Sequence, residues 1–181
     1  LKLWTKKTDE TLSVLDVGTG SGCLIISILR DYEFPLHAIG VDTSLQALKQ
    51  AKQNWFRLRF TANAHSELHL IQSDLLNEIS DRHFHVIVSN PPYIMETADR
   101  KNVHAQVDRF EPHQALYLSD SDYFSWYKNF FKQIHKALYE EGVCVMEGHD
   151  EHLATLAEIA KQFAFKSVKI IKDYNNFDRY L

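Results

Sequence analysis

Apolar and polar positions alternate along this chain in two rhythms. Short, almost unbroken apolar runs recur at residues 12–17 (LSVLDV), 36–42 (LHAIGVD), 67–74 (ELHLIQSD), 83–89 (HFHVIVS) and 143–148 (VCVMEG). Runs of that length read as strands buried on both faces. Between them the spacing changes to three and four. Residues 21–31 and 44–55 each carry one apolar stripe, the second opened by Ser44 as a helix cap. From Asp122 to Tyr139 the positions Tyr123, Tyr127, Phe130, Phe131, Ile134 and Leu138 mark a third helix, which Gly142 would close. Residues 152–163 read as a further helix, 165–171 as a sixth strand, and 177–181 as the start of a seventh. Strands alternating with helices at this spacing predict βαβ units, hence a mostly parallel sheet with helices on both faces. Residues 90–119 fit neither rhythm and are too long for a plain connector.

Composition narrows this picture only modestly. With 181 residues, 45% of them hydrophobic, the chain can build one ordinary core. Its formal charge of −4 argues against a domain that lives on phosphate backbones, though a local basic patch remains compatible with it. No apolar run reaches the length of a membrane span and no signal peptide is recognisable, so no membrane partner is expected. Cys23 and Cys144 lie in apolar surroundings and read as buried reduced thiols, which suits a reducing, cytoplasmic setting. Ten histidines include two close pairs, His83 with His85 and His149 with His152, but neither has a cysteine at zinc-like spacing. No metal is expected.

Chemistry gathers at the strand ends. The first strand runs into VLDVGTGSGC, where Asp16 precedes Gly18, Thr19, Gly20 and Gly22. Glycines there permit a sharp turn and close approach of backbone to a ligand. Their spacing is G-x-G-x-G rather than the dinucleotide G-x-G-x-x-G. An acid before them suits a cation better than a pyrophosphate, so the loop resembles that of S-adenosylmethionine sites. Asp42 closes the second strand, where a carboxylate can accept ribose hydroxyls, or can simply sit at a helix start. Asp74 closes the third and can reach an adenine amino group, or act as a turn residue. The fourth strand stops at Asn90-Pro91-Pro92-Tyr93. The Asn90 side-chain oxygen and the Pro91 carbonyl can accept both N–H groups of a planar nitrogen, while the Tyr93 ring packs on the flat group and Pro92 stiffens the corner. This corner resembles the motif of methyltransferases acting on amide or exocyclic nitrogens.

Taken together, VLDVGTGSGCLIISIL, VDTSLQALKQAKQN, SDLL, VSNPPYI, RFEPHQAL and KDYNNFDRYL resemble the protein-(glutamine-N5) methyltransferases of the HemK/PrmC type. The resemblance spans nearly all of the chain. It implies a Rossmann-like class I S-adenosylmethionine-dependent fold with a seven-stranded sheet over residues 12–181, after a linker remnant at 1–11. It implies methylation of the glutamine of the Gly-Gly-Gln motif in a peptide chain release factor, with no metal and no direct nucleic-acid partner. By the same resemblance Asp16, Gly18, Gly20, Asp42 and Asp74 bind the cofactor, and Asn90, Pro91 and Tyr93 bind the glutamine amide. Glu111 of the FEP segment would order the long loop, or pair with Arg109 or Arg100. The family carries a helical N-terminal domain that grips the release factor, and only eleven residues precede the first strand here. A usual glycine near the end is replaced by Asn175 or Asn176, a mild change because asparagine tolerates left-handed backbone. Methylation of an exocyclic amine in DNA or RNA, and a cofactor-binding module without activity, stay open as alternatives.

Overall fold

The computed structural model describes residues 11–110 and 112–181, so Glu111 and most of the leading segment lie outside the described residues. In chain order the elements are β1 (Leu12–Val17), α1 (Cys23–Asp31), β2 (Leu36–Asp42), α2 (Leu45–Leu58), β3 (Glu67–Gln72), β4 (Phe84–Ser89), β5 (Ile94–Met95), α3 (Ala105–Phe110), α4 (His113–Leu116), β6 (Tyr117–Leu118), α5 (Tyr123–Ala137), β7 (Leu138–Met146), α6 (Asp150–Ala160), β8 (Ile171–Lys172) and β9 (Asp178–Tyr180). They fall into two compact units. One comprises the chain up to Ser89 together with Ala137–Cys144, and the other Asn90–Lys136 with Val145–Leu181.

The first unit holds the main sheet, in the order β3-β2-β1-β4-β7. β1 pairs in parallel with β2 and β4, and β2 with β3. The chain steps outward from β1 to β2 to β3, then returns to the other side of β1 for β4. In such open sheets this reversal opens a crevice at the carboxyl ends of the strands. On one face Leu12, Val14, Leu36, Ala38 and Val86 bury against Ile25, Ile26 and Leu29 of α1. The opposite-facing Leu15, Val17, Ile39, Val41 and Ile87 are buried as well, which explains why these strands read as unbroken apolar runs. α2 starts where expected, with the Ser44 hydroxyl accepting from the Ala47 N–H at 3.2 Å.

Three expectations change. The main sheet has five strands rather than seven. β8 and β9 form a separate antiparallel ribbon, because Asp173 Oδ1 accepts from the N–H groups of Asn175 and Phe177 and folds the intervening turn locally. Asn176 takes the left-handed conformation there, with φ +69°. The ribbon still meets the end of β7: Met146 and Leu181 exchange two 2.9 Å backbone bonds and Glu147 bridges Tyr180 antiparallel. Second, Gly142 does not cap α5. The helix ends at Ala137 and Gly142 lies inside β7, where an added Cβ would meet the Tyr139 and Phe84 carbonyl oxygens at 2.9 and 3.0 Å. Third, Cys23 is exposed at the start of α1, while burial pushes the Cys144 thiol up to about 12.

Because those carbonyls belong to backbone and cannot swing aside, Gly142→Ala is expected to cost about 1–3 kcal/mol of stability, read as a lower urea midpoint with an unchanged slope.

Candidate active site

The glycine loop is built from backbone first. Gly18, Gly20 and Gly22 all have positive φ, at +71°, +56° and +82°, which other residues adopt only under strain. The N–H groups of Gly18 and Thr19 both donate to the Val41 carbonyl at 2.9 Å, folding the loop over the end of β2. Asp42 then fixes it: Oδ2 accepts from the Gly20 N–H and Oδ1 from the Ser44 N–H, each at 2.8 Å. Thus one carboxylate ties the loop to the start of α2 and still has lone pairs to offer.

Asp16 sits below the loop, 1% exposed. Its Oδ2 accepts from the Thr19 hydroxyl at 2.7 Å, whereas Oδ1 is buried without a hydrogen-bond partner. Burial raises its pKa from 3.8 to about 6, against the opposing pull of Thr19 and the nearby Ile25 N–H and with a small push from Asp42. An unpaired buried carboxylate oxygen is costly and calls for a partner. Beside it, an added Cβ on Gly18 or Gly20 would meet nothing within 4 Å. Bonding capacity and open space lie side by side, and an acidic group suits a cationic ligand. The residues therefore fit the cofactor that the sequence implies.

Asp74 is exposed just beyond β3, and the buried Leu75 after it takes φ +50°. Gly40 was not foreseen as a site residue. It faces Thr19, whose hydroxyl would lie 2.9 Å from an added Cβ. A glycine amid the apolar residues of LHAIGVD was the available signal for such a close approach. Ser89, the last residue of β4, is register partner of Val17 and donates its hydroxyl to the Val17 carbonyl at 2.8 Å. β4 therefore ends in register with the residue from which the glycine loop departs.

In the second unit Asn90 is exposed, Pro91 buried, and Pro92 and Tyr93 half-buried. Two tyrosines of α5 hold the corner by its backbone. Tyr127 donates to the Pro92 carbonyl at 3.3 Å and Tyr123 to the Tyr93 carbonyl at 3.1 Å. Both are fully buried, and burial pushes both phenols above their ordinary pKa. Sequence periodicity assigned these residues to an apolar stripe and could not show that their hydroxyls were in use. The Tyr93 hydroxyl donates to Glu147 at 3.3 Å, and burial followed by the Glu147 charge raises its pKa. Arg100 pairs with Asp108. Among the described residues, no cluster of three or more His, Cys, Asp or Glu is placed to hold a metal ion, and no helix is long and apolar enough to cross a membrane. His85 instead bonds Ser13 and packs on Tyr139.

A glycine loop over a buried acid, at the reversal of a parallel sheet, lies where open α/β sheets bind ligands. Residues 2–110 match the family described as methyltransferase small domain, and the chain belongs to that family. It is 30% identical over 172 residues to a release factor glutamine methyltransferase of Flavobacterium psychrophilum, covering 95% of this chain and 58% of that protein. It is 31% identical over 178 residues to one of Staphylococcus aureus, covering 96% and 60%. The chain thus spans roughly three-fifths of the length of these curated relatives. Its fold is shared with a methyltransferase from Pyrococcus furiosus (TM-score 0.64, 16% identity, 94% of this chain and 72% of that one). It is also shared with a ribosomal protein L11 methylase from Lactobacillus delbrueckii subsp. bulgaricus (TM-score 0.63, 19% identity, 94% and 67%).

An acid whose folded pKa exceeds its unfolded value favours folding at low pH and loses that contribution as pH rises through the folded value. For Asp16 the loss falls between about pH 4 and pH 6. Asp16→Asn should flatten the stability profile of the ligand-free chain across that window, in urea titrations at several pH values, while weakening cofactor binding.

Proposed function

We propose that the protein binds S-adenosylmethionine and methylates the side-chain amide nitrogen of the glutamine in the Gly-Gly-Gln motif of a peptide chain release factor. The observation that carries this reading is the buried, half-satisfied Asp16 carboxylate under a glycine loop with open space at Gly18 and Gly20. The named relatives, about 30% identical over nearly the whole chain, support the choice of a glutamine amide.

Asp16, Gly18, Thr19, Gly20, Gly22, Asp42 and Asp74 would hold the cofactor, which supplies an electrophilic methyl on a sulfonium when bound. Asp16 Oδ1 offers its free lone pairs to the cationic end, and Asp42, already oriented by Gly20 and Ser44, receives the ribose hydroxyls. The substrate nitrogen is a poor nucleophile because its lone pair is delocalised into the carbonyl. The Asn90 side-chain oxygen and the Pro91 carbonyl accept its two N–H groups, fix its orientation and stabilise positive charge as it develops. Tyr93 packs its ring beside the amide, with its hydroxyl anchored on Glu147. The buried hydroxyls of Tyr123 and Tyr127 keep the corner from relaxing, so little reorganisation accompanies the reaction.

The test uses methyl-labelled cofactor with a release factor and with the same factor carrying alanine for the Gly-Gly-Gln glutamine. Label is expected on the first alone; label on both, or on neither with cofactor bound, refutes the reading. In the same assay Asn90→Ala should cost about 2.7–4 kcal/mol of transition-state stabilisation, with cofactor affinity measured by calorimetry nearly unchanged.

A further inference from the structure

Behind the Asn90 corner lies a second polar cluster that methyl transfer does not require. Residues 94–99 leave the corner as β5 and a tight turn. Asp99, 4% exposed, closes that turn: its N–H donates to the Met95 carbonyl at 3.2 Å, and its Oδ2 accepts from the Met95 N–H at 2.9 Å. The same Oδ2 contacts Nε2 of His152, on the first turn of α6, at 2.8 Å. Although burial opposes the charged form of Asp99, the Met95 N–H and His152 outweigh it and keep its pKa below the ordinary value. The His152 ring packs edge-on against Tyr123, centroids 5.2 Å apart, and Tyr123 holds the Tyr93 carbonyl. His152 therefore reaches both sides of the segment, Tyr93 through Tyr123 and Met95 through Asp99. Other ionisable groups around this cluster include His149, whose ring lies 5.0 Å from that of His152, Asp150, which contacts His149 at 3.1 Å, and Asp120, whose carboxylate accepts from the Thr97 and Ala98 N–H groups at 2.8 and 3.1 Å.

We propose that His152 is a positioning residue for the substrate corner: paired with Asp99 and packed edge-on against Tyr123, it latches residues 93–99 to α6 and so sets where Tyr93 and the preceding Asn90-Pro91 acceptors stand. The proposal rests on the methyl-transfer reading for its catalytic consequence. Its structural half stands apart from that reading. An imidazole is suited to the task because it offers an aromatic ring to Tyr123 and an N–H to a carboxylate at once. Misplacement of aligned groups by about 1 Å is enough to cost a reaction roughly 100-fold.

Two substitutions in the full chain separate the contributions. His152→Phe keeps the ring and removes the bond to Asp99; His152→Gln keeps a donor for Asp99 and removes the ring. Amide hydrogen exchange over residues 93–99, kcat, the KM for the release factor and cofactor affinity are measured for both. For His152→Phe, faster exchange across 93–99 and a kcat about 10- to 100-fold lower are expected, with cofactor affinity unchanged. His152→Gln should recover most of both losses. Wild-type exchange and kcat in His152→Phe overturn the latch, as does a His152→Gln variant no better than His152→Phe. Should His152→Phe not fold, exchange in Asp99→Asn reads the same contact, and unaltered exchange there also overturns it. A wild-type chain that leaves the release factor unlabelled refutes the methyl-transfer reading instead, because exchange judges the latch without any substrate.

Discussion

The Asp42 carboxylate is the interaction on which the rest of the first unit's chemistry depends. A loop with three left-handed glycines has much conformational freedom to lose. Asp42 supplies the restraint from the end of the neighbouring strand. With one oxygen on the Gly20 N–H and the other on the Ser44 N–H, it joins the turn after β1 to the start of α2. The Val41 carbonyl adds two more bonds to Gly18 and Thr19. The parallel register of β1 and β2 makes this arrangement available, because it pairs Val17 with Val41. Sheet topology is thereby converted into a fixed loop cradle.

Two acids in this cradle divide the work according to their surroundings. Asp42 is half-exposed and takes one backbone donor on each oxygen; it organises. Asp16 is buried and half-satisfied, and burial raises its pKa. Such a group weakens the empty protein and is retained where a ligand repairs it. The Asn90-Pro91-Pro92-Tyr93 corner follows a different principle. Its rigidity comes from prolines and from two buried phenols that spend their hydroxyls on backbone carbonyls.

Much of this was legible in the sequence because it rests on short-range pattern. β2 was bounded to the residue, and Ser44 capped α2 as read. The Asp16, glycine and Asp42 group gathered at one sheet edge because strand ends in a parallel sheet must lie together. What escaped notice depended on long-range pairing. Gly142 looks like a helix stop only if α5 is assumed to continue; its place within β7 follows from the neighbouring Phe84 carbonyl. The sixth and seventh strands were read as sheet members from apolar content alone, whereas the Asp173 turn folds them on each other first. The hydroxyls of Tyr123 and Tyr127 are invisible to periodicity, since a buried tyrosine and a buried phenylalanine occupy the same stripe.

Gly40 illustrates how one missing side chain constrains a distant position. Its bare Cα makes room for Thr19, and Thr19 in turn holds Asp16. A larger residue at 40 would crowd both that hydroxyl and the Leu70 side chain, and a smaller residue at 19 would release Asp16. The two sites, one within β2 and the other in the loop after β1, lie 21 residues apart in the chain, and a change at 40 is felt at 19 and through it at 16.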